Sequence, residues 1–153
     1  INWIVAESLT LLKETLRING IDLVLKLAED LPKVNCDYIQ IVQVLTNLIN
    51  NARDALKDRS EPQLIVTSYL HNDYICVDIE DNGVGIPENI KHKIFDPFFT
   101  TKPVGSGTGL GTSISHGIAT EHHGSLSVLS QEGMGSTFTP ALPLHSADYS
   151  QVL

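Results

Sequence analysis

The 153-residue chain predicts an α/β (α+β) fold, with about five strands and about three helices around one core. Apolar residues recur at helical spacing in three stretches and alternate with polar ones in five others. The length is that of one domain, sufficient to bury a core without disulfide or metal staples. Four short segments rich in amides, glycines or aromatics, at residues 47–51, 81–85, 95–102 and 105–111, punctuate the chain, the first within a helical stretch and the others in or beside its loop-rich part.

Taken in order, Leu9, Leu12 and Leu16 follow helical spacing and Gly20 stops it, so the first helix is expected over residues 6–19. Ile21, Leu23, Leu25 and Leu27 alternate with Asp22, Val24 and Lys26, which reads as a strand over 21–27. Pro32 breaks the chain, and Asp37 is placed to cap a long helix running to about residue 57. Residues 63–70 and 74–80 alternate around the polar turn His71-Asn72-Asp73, the pattern of a hairpin. The next stretch, 81–107, is loop-rich with one helical turn near 88–93; loops this long inside a small domain are usually functional. A helix is expected over 108–122, then strands over 125–130 and 136–142. One domain over residues 1–145 and a disordered tail over 146–153 complete the reading.

Bulk composition narrows the function. A formal charge of −8 argues against a nucleic-acid surface, which needs clustered Lys and Arg. A polyanionic ligand must then be held by backbone N–H groups, a metal and a few placed cations. Cys36 and Cys76 form no CxxC pair and read as free structural thiols of a reducing compartment. No apolar run approaches a membrane span, and no signal peptide is visible; a start at Ile1 rather than Met reads as a piece of something longer.

On the long helix, Ile41, Leu45, Leu48, Ala52 and Ala55 share an apolar face, while Gln43, Asn47, Asn51 and Asp54 form a stripe on the other side. A solvated face normally carries Lys and Glu, because Asn is a poor helix former. The bland reading is a merely polar surface; the sharper one is a row of hard oxygen donors suited to Mg²⁺, which takes few protein ligands plus phosphate oxygens and water. Asp81-Asn82-Gly83-Val84-Gly85 follows a strand with a buried face of Ile75, Val77 and Ile79. A plain turn is the simplest reading, yet Pro87 opposes a partner strand, and a second glycine lets backbone approach a flat ligand. Asp81, at the strand end, suits an exocyclic amine such as that of adenine. Gly105-Ser106-Gly107-Thr108-Gly109-Leu110-Gly111 leads into a helix, whose first N–H groups and dipole bind phosphate. It lacks the Lys of a Walker loop and does not follow a strand as a dinucleotide fingerprint would. Phe98 and Phe99 read either as core aromatics or as anchors of a lid, and Lys102 is the nearest cation to the phosphate end.

These segments together resemble the catalytic and ATP-binding domain of two-component sensor histidine kinases, in the gyrase, chaperone, histidine kinase and mismatch-repair ATPase superfamily. The run Gln43 to Ala52 looks like the N box, Asp81 to Gly85 the G1 box, Phe95 to Phe99 the F box, and Gly105 to Gly111 the G2 box. His123-Gly124 through Gly135-Ser136-Thr137-Phe138 resembles the closing G3 region. The resemblance covers nearly the whole chain and implies a Bergerat-type, two-layer sandwich: a mixed, largely antiparallel sheet packed under the helices. It implies ATP and Mg²⁺ as cofactors, with Asn51 as metal ligand and Asn51 and Lys102 as the catalytic residues. Nucleotide contacts are implied at Asn47, Asn51, Asp54, Asp81, Gly83, Gly85, Ile86, Phe95, Thr101, Lys102, Gly105, Ser106, Gly107, Thr108, Gly109, Leu110, Gly111 and Ser136.

Departures from the family pattern are informative. Thr112 replaces an apolar residue, Pro140 is expected to interrupt the last strand, the lid is short, and Asp54 stands where many members carry a phosphate-binding Lys, a role left to Lys102 or Lys57. None of the six His lies in an N-terminal acceptor helix, so the phosphoacceptor is missing. The resemblance therefore implies a kinase domain acting on a His of a separate dimerisation domain, with a response regulator downstream. It also implies a cytoplasmic domain with no membrane or nucleic-acid contact of its own, whether or not the parent is membrane-anchored. The alternative is an ATP-hydrolysing clamp of the gyrase or chaperone type. Those relatives place a general-base Glu four residues before the metal-binding Asn, where this chain has Asn47, and an amide cannot take a proton at neutral pH. A nucleotide-binding module without activity is the third reading.

Overall fold

The structure, a computed structural model, describes residues 1–144; the predicted tail over 146–153 lies outside the described residues. Three α-helices, α1 (Asn2–Ile18), α2 (Tyr38–Ala55) and α3 (Gly111–Glu121), cover one face of a five-stranded sheet. The strands are β1 (Asp22–Leu27), β2 (Gln63–His71), β3 (Tyr74–Asp81), β4 (Ser125–Gln131) and β5 (Gly135–Pro143), and a 3-10 turn spans Glu88–Lys93. Sheet order is β1-β2-β3-β5-β4, with β1 parallel to β2 and every other pair antiparallel. This is the expected two-layer α/β sandwich with a mixed, largely antiparallel sheet.

α2 packs against both α1 and α3 and lies over β3. Its buried Ile41, Val44, Leu45, Leu48, Ile49 and Ala52 meet Leu64, Val66, Val77, Ile79 and Phe138 from the sheet. Ala55, predicted for this face, is only half-buried; Leu56 completes the core instead. The predicted cap is present: Asp37 Oδ1 accepts from Gln40 N at 3.1 Å.

α1 starts four residues earlier than its leucines predict, because Ile4 and Val5 are also buried and Trp3 stacks on Tyr38 at 4.9 Å. Its end follows the predicted glycine signal. Gly20 has φ +65°, Ile21 N donates to Leu16 O and Gly20 N to Arg17 O, closing a Schellman motif. The hairpin turns through Asn72 at φ +52°. Pro140 does not interrupt β5. It still pairs with Leu126 of β4, and the β3 ladder skips its position, where a missing N–H would leave a gap, then resumes at Ile79–Phe138. Among the described residues, no helix is long and apolar enough to cross a membrane.

Candidate functional site

The amide stripe of α2 faces the start of α3. Asn47 Nδ2 donates to Gly111 O at 3.5 Å and to Ser115 Oγ at 3.4 Å, and Asn51 Nδ2 donates to Thr112 Oγ1 at 3.3 Å. Among the described residues no donor engages Asn51 Oδ1, which leaves a hard oxygen, half-buried, beside the α3 N-terminus. Asp54, one turn further along, is held by Lys102 Nζ from the 82–110 segment and by Arg53 Nη2 at 2.7 Å. Burial pushes the Asp54 carboxyl up, but the hydrogen bonds from Lys102 and Arg53 outweigh it and hold it below the ordinary carboxylate range. Lys102 and Asp54, predicted separately as site residues, are thus one ion pair spanning helix and loop.

α3 begins at Gly111, not at residue 108. Gly109 has φ +68°, and a Cβ there would lie 2.4 Å from the Phe98 carbonyl carbon, so the glycine run turns tightly against Phe98 before the helix can start. The first helical bond is Ile114 N to Leu110 O, and the free N–H groups that can meet an anion belong to Gly111, Thr112 and Ser113. Thr108 Oγ1 accepts from Leu110 N at 3.3 Å and Ser106 Oγ donates to Pro103 O at 2.7 Å, so both hydroxyls serve the loop's own shape. Gly107 lies against the Thr100 and Lys102 side chains. Thr101 and Gly105 are exposed, the latter at φ +87°. Phe98, 74% exposed and at φ +67°, is no core aromatic; Phe95 is half-buried against the core, its ring tilted against that of His116 with centroids 5.0 Å apart.

At the other end of the site, the carboxyl of Asp81 is 5% exposed and accepts from Gly83 N at 2.8 Å. Gly83 and Gly85 are required by contact: a Cβ would lie 2.5 Å from Ala55 O in the first and 2.0 Å from Gln131 O in the second. Ile86 N donates to Ser130 Oγ at 2.8 Å, and that hydroxyl contacts Ser136 Oγ at 2.8 Å, so Ile86 and Ser136 share one polar anchor. Ser136 pairs with Asp81 across β5 and β3. A crevice of about 420 Å³ reaches Asp81, Ser130 and Ser136; Asn47 and Asn51 do not line it. Ser130 and Arg59 were not singled out from sequence: Ser130 meets Ile86 from 44 residues away, and Arg59 meets Gly83 and Gly133 from 24 and 74.

Burial raises the Asp81 pKa to about 6, with the Gly83 and Ser136 backbone and the Arg59 charge pulling it back only partly. Between pH 4 and 6 the folded chain keeps a proton that the unfolded chain has lost. Stability from this group is therefore full below pH 4 and is lost as pH rises through 6. Asp81→Asn cannot ionise, so its stability relative to the wild type should improve by about 3 kcal/mol between pH 4 and pH 7. Thermal melts at the two pH values check this, and an unchanged difference would refute the buried-carboxylate reading.

Among the described residues no group of three His, Cys, Asp or Glu could hold a metal. The available donor is the amide oxygen of Asn51, which fits an ion that takes one protein oxygen and completes its shell with phosphate and water.

Residues 36–146 match the family of histidine kinase-, DNA gyrase B- and HSP90-like ATPases. The signal transduction histidine-protein kinase AtoS of Escherichia coli is 38% identical over 145 residues, covering 95% of this chain and 23% of AtoS. The sensor kinase CckA of Brucella abortus is 40% identical over 142 residues, covering 83% of this chain and 15% of CckA. The chain thus spans less than a quarter of these relatives' length. The solved catalytic domain of the histidine kinase ThkA, in a nucleotide-free form, superposes with a TM-score of 0.82 at 34% identity, covering 94% of this chain and 93% of that one. ThkA has also been solved in complex with the response regulator TrrA; there the TM-score is 0.79 at 32% identity, over 95% of this chain and 40% of that one. The chain belongs to the histidine kinase-, DNA gyrase B- and HSP90-like ATPase family, and within it to the catalytic domains of sensor histidine kinases.

Proposed function

We propose that this domain binds ATP with Mg²⁺ and transfers the γ-phosphoryl group to a histidine on a separate dimerisation domain of its parent, in two-component signalling. The observation that carries the reading is the alignment, on one side of α2, of Asn51 Oδ1, the α3 N-terminus and Lys102, with Asp81 at the end of β3, whose following turn is bonded to the C-terminal end of α2 through Val84 N and Ala55 O. Asn51 Oδ1 would hold the metal, which when bound neutralises phosphate charge. The N–H groups of Gly111, Thr112 and Ser113 orient phosphate oxygens, and Lys102 meets the terminal phosphate as a point charge. Asp81 accepts from the adenine amine, while Gly83, Gly85, Ile86 and Ser136 hold backbone close to the purine. Phe95 braces the segment, and Thr101 with residues 105–110 forms the cover. Asn47 occupies the place of a hydrolase base and offers none, so water is a poor acceptor. The crystallised pairing of ThkA with TrrA supports a response regulator downstream. A cytoplasmic location for the domain, and one domain over residues 1–145, belong to the same proposal.

Reconstitution tests it. With γ-labelled ATP and the His-bearing helical domain of the parent, label should appear on that histidine as an acid-labile, alkali-stable product, and neither ADP nor self-label should form quickly without it. Rapid ADP formation by the chain alone would instead support a clamp ATPase, and label on its own Ser or Thr would overturn the acceptor chemistry.

A further inference from the structure

Arg59 lies just beyond α2, outside the four segments, yet it joins one of them, residues 81–85, to the turn between β4 and β5. Its Nη2 donates both to Gly83 O, in the turn after β3, and to Gly133 O, in the turn between β4 and β5. The same two turns are linked by Gly133 N donating to Val84 O at 2.7 Å, and Val84 N donates to Ala55 O at 3.2 Å at the end of α2. Gly83 and Gly85 leave no room for the turn to move toward α2 or toward Gln131. The Arg59 bonds tie the turn to the β4–β5 turn and to the loop after α2. The turn so held contains Gly83 N, which donates to the Asp81 carboxyl alongside the Ser136 backbone. Arg59 Nε is buried with no partner, so the guanidinium is placed for the two carbonyls at the expense of its own hydration.

We propose that Arg59 is a positioning residue for purine recognition: by bridging the 81–85 and 131–135 turns it fixes where the Asp81 carboxyl points. This rests on the proposed role of Asp81 toward adenine. The charges acting on that carboxyl are Arg59 from the loop after α2 and Glu80 on its own strand; Lys91, which shares the crevice, is paired with Glu88 at 2.6 Å. Removing Arg59 should therefore disturb both the geometry and the charge of Asp81, while Arg59→Lys restores the charge and not the two-carbonyl bridge.

The test compares wild type, Arg59→Ala, Arg59→Lys and Asp81→Ala for ATP and GTP affinity across pH 5.5–8, with phosphotransfer to the parent's His-bearing domain split into KM and kcat. Arg59→Ala should lose about tenfold in ATP affinity. Its preference for ATP over GTP should fall, KM should rise with kcat nearly unchanged, and the midpoint of the pH profile should move up. Arg59→Lys should return the midpoint toward that of the wild type without restoring the preference, and it carries the test if the alanine variant does not fold. Wild-type selectivity and pH profile in both Arg59 variants, or a fall in kcat alone, would overturn the proposal. If Asp81→Ala abolishes the preference while the Arg59 variants keep it, only the Arg59 role fails. If Asp81→Ala also keeps it, the adenine reading itself fails.

Discussion

Asn51→Ala should lose at least about 100-fold in Mg²⁺-dependent ATP affinity, the scale on which even residues that merely support a metal ligand act. The fold should survive. Asn51 lies off the apolar face of α2, and among the described residues its amide bonds only to Thr112 Oγ1, at 3.3 Å. Alanine is the better helix former by about 0.5 kcal/mol, so the melting temperature should hold or rise slightly. This separates a ligand from a structural residue: binding collapses while stability does not. Calorimetry with ATP, with and without Mg²⁺, reads the first and a thermal melt reads the second. Unchanged Mg·ATP binding by a folded variant would remove Asn51 from the site, and the α2 stripe would become a polar surface packed on α3.

What the sequence made legible here is what local physics controls. The Asp37 cap, the Gly20 stop, the hairpin at residues 71–73 and the buried faces of α2 and β3 depend on neighbours within one turn or one pleat. Misreadings arose where distant residues decide. α1 begins early because Trp3 stacks on Tyr38, and α3 begins late because Gly109 must pass under Phe98. Pro140 stays in its strand because β4 supplies the pairing that β3 forgoes. In the site, the order of segments pointed to a nucleotide and a metal, and Asn47, Asn51 and Asp54 do share a face with Lys102 and the α3 start. No local pattern marks the Asp54–Lys102 pair, 48 residues apart, or the Arg59 bridge to Gly133, 74 residues away. Such long-range polar contacts have no periodicity to betray them.

Asp54 raises an electrostatic difficulty whose resolution gives the other large expected effect. A carboxylate held ionised one turn from Asn51 would repel the terminal phosphates of a triphosphate. Lys102 and Arg53 neutralise it in this structure, and Lys102 is the one carried by the loop segment between β3 and α3. Under the proposed function Lys102 would have two tasks, offsetting Asp54 and meeting the γ-phosphate as charge shifts during transfer. Lys102→Ala should accordingly lower kcat for phosphorylation of the supplied His domain by about 10²–10³-fold, the usual loss when one preorganised donor is removed from a transition state. ATP affinity should also fall, about tenfold, because Asp54 would then face the phosphates with Arg53 alone. Adding Asp54→Asn to Lys102→Ala should recover that affinity while leaving kcat low. Asp54→Asn alone should change affinity little, since the repulsion it removes is already offset. The double-mutant cycle should therefore be non-additive in binding by at least about 1 kcal/mol, as expected of a charge pair in contact. Additive losses in affinity, or a Lys102→Ala variant that keeps the wild-type kcat, would show that the pair merely closes the loop over α2 and takes no part in handling phosphate.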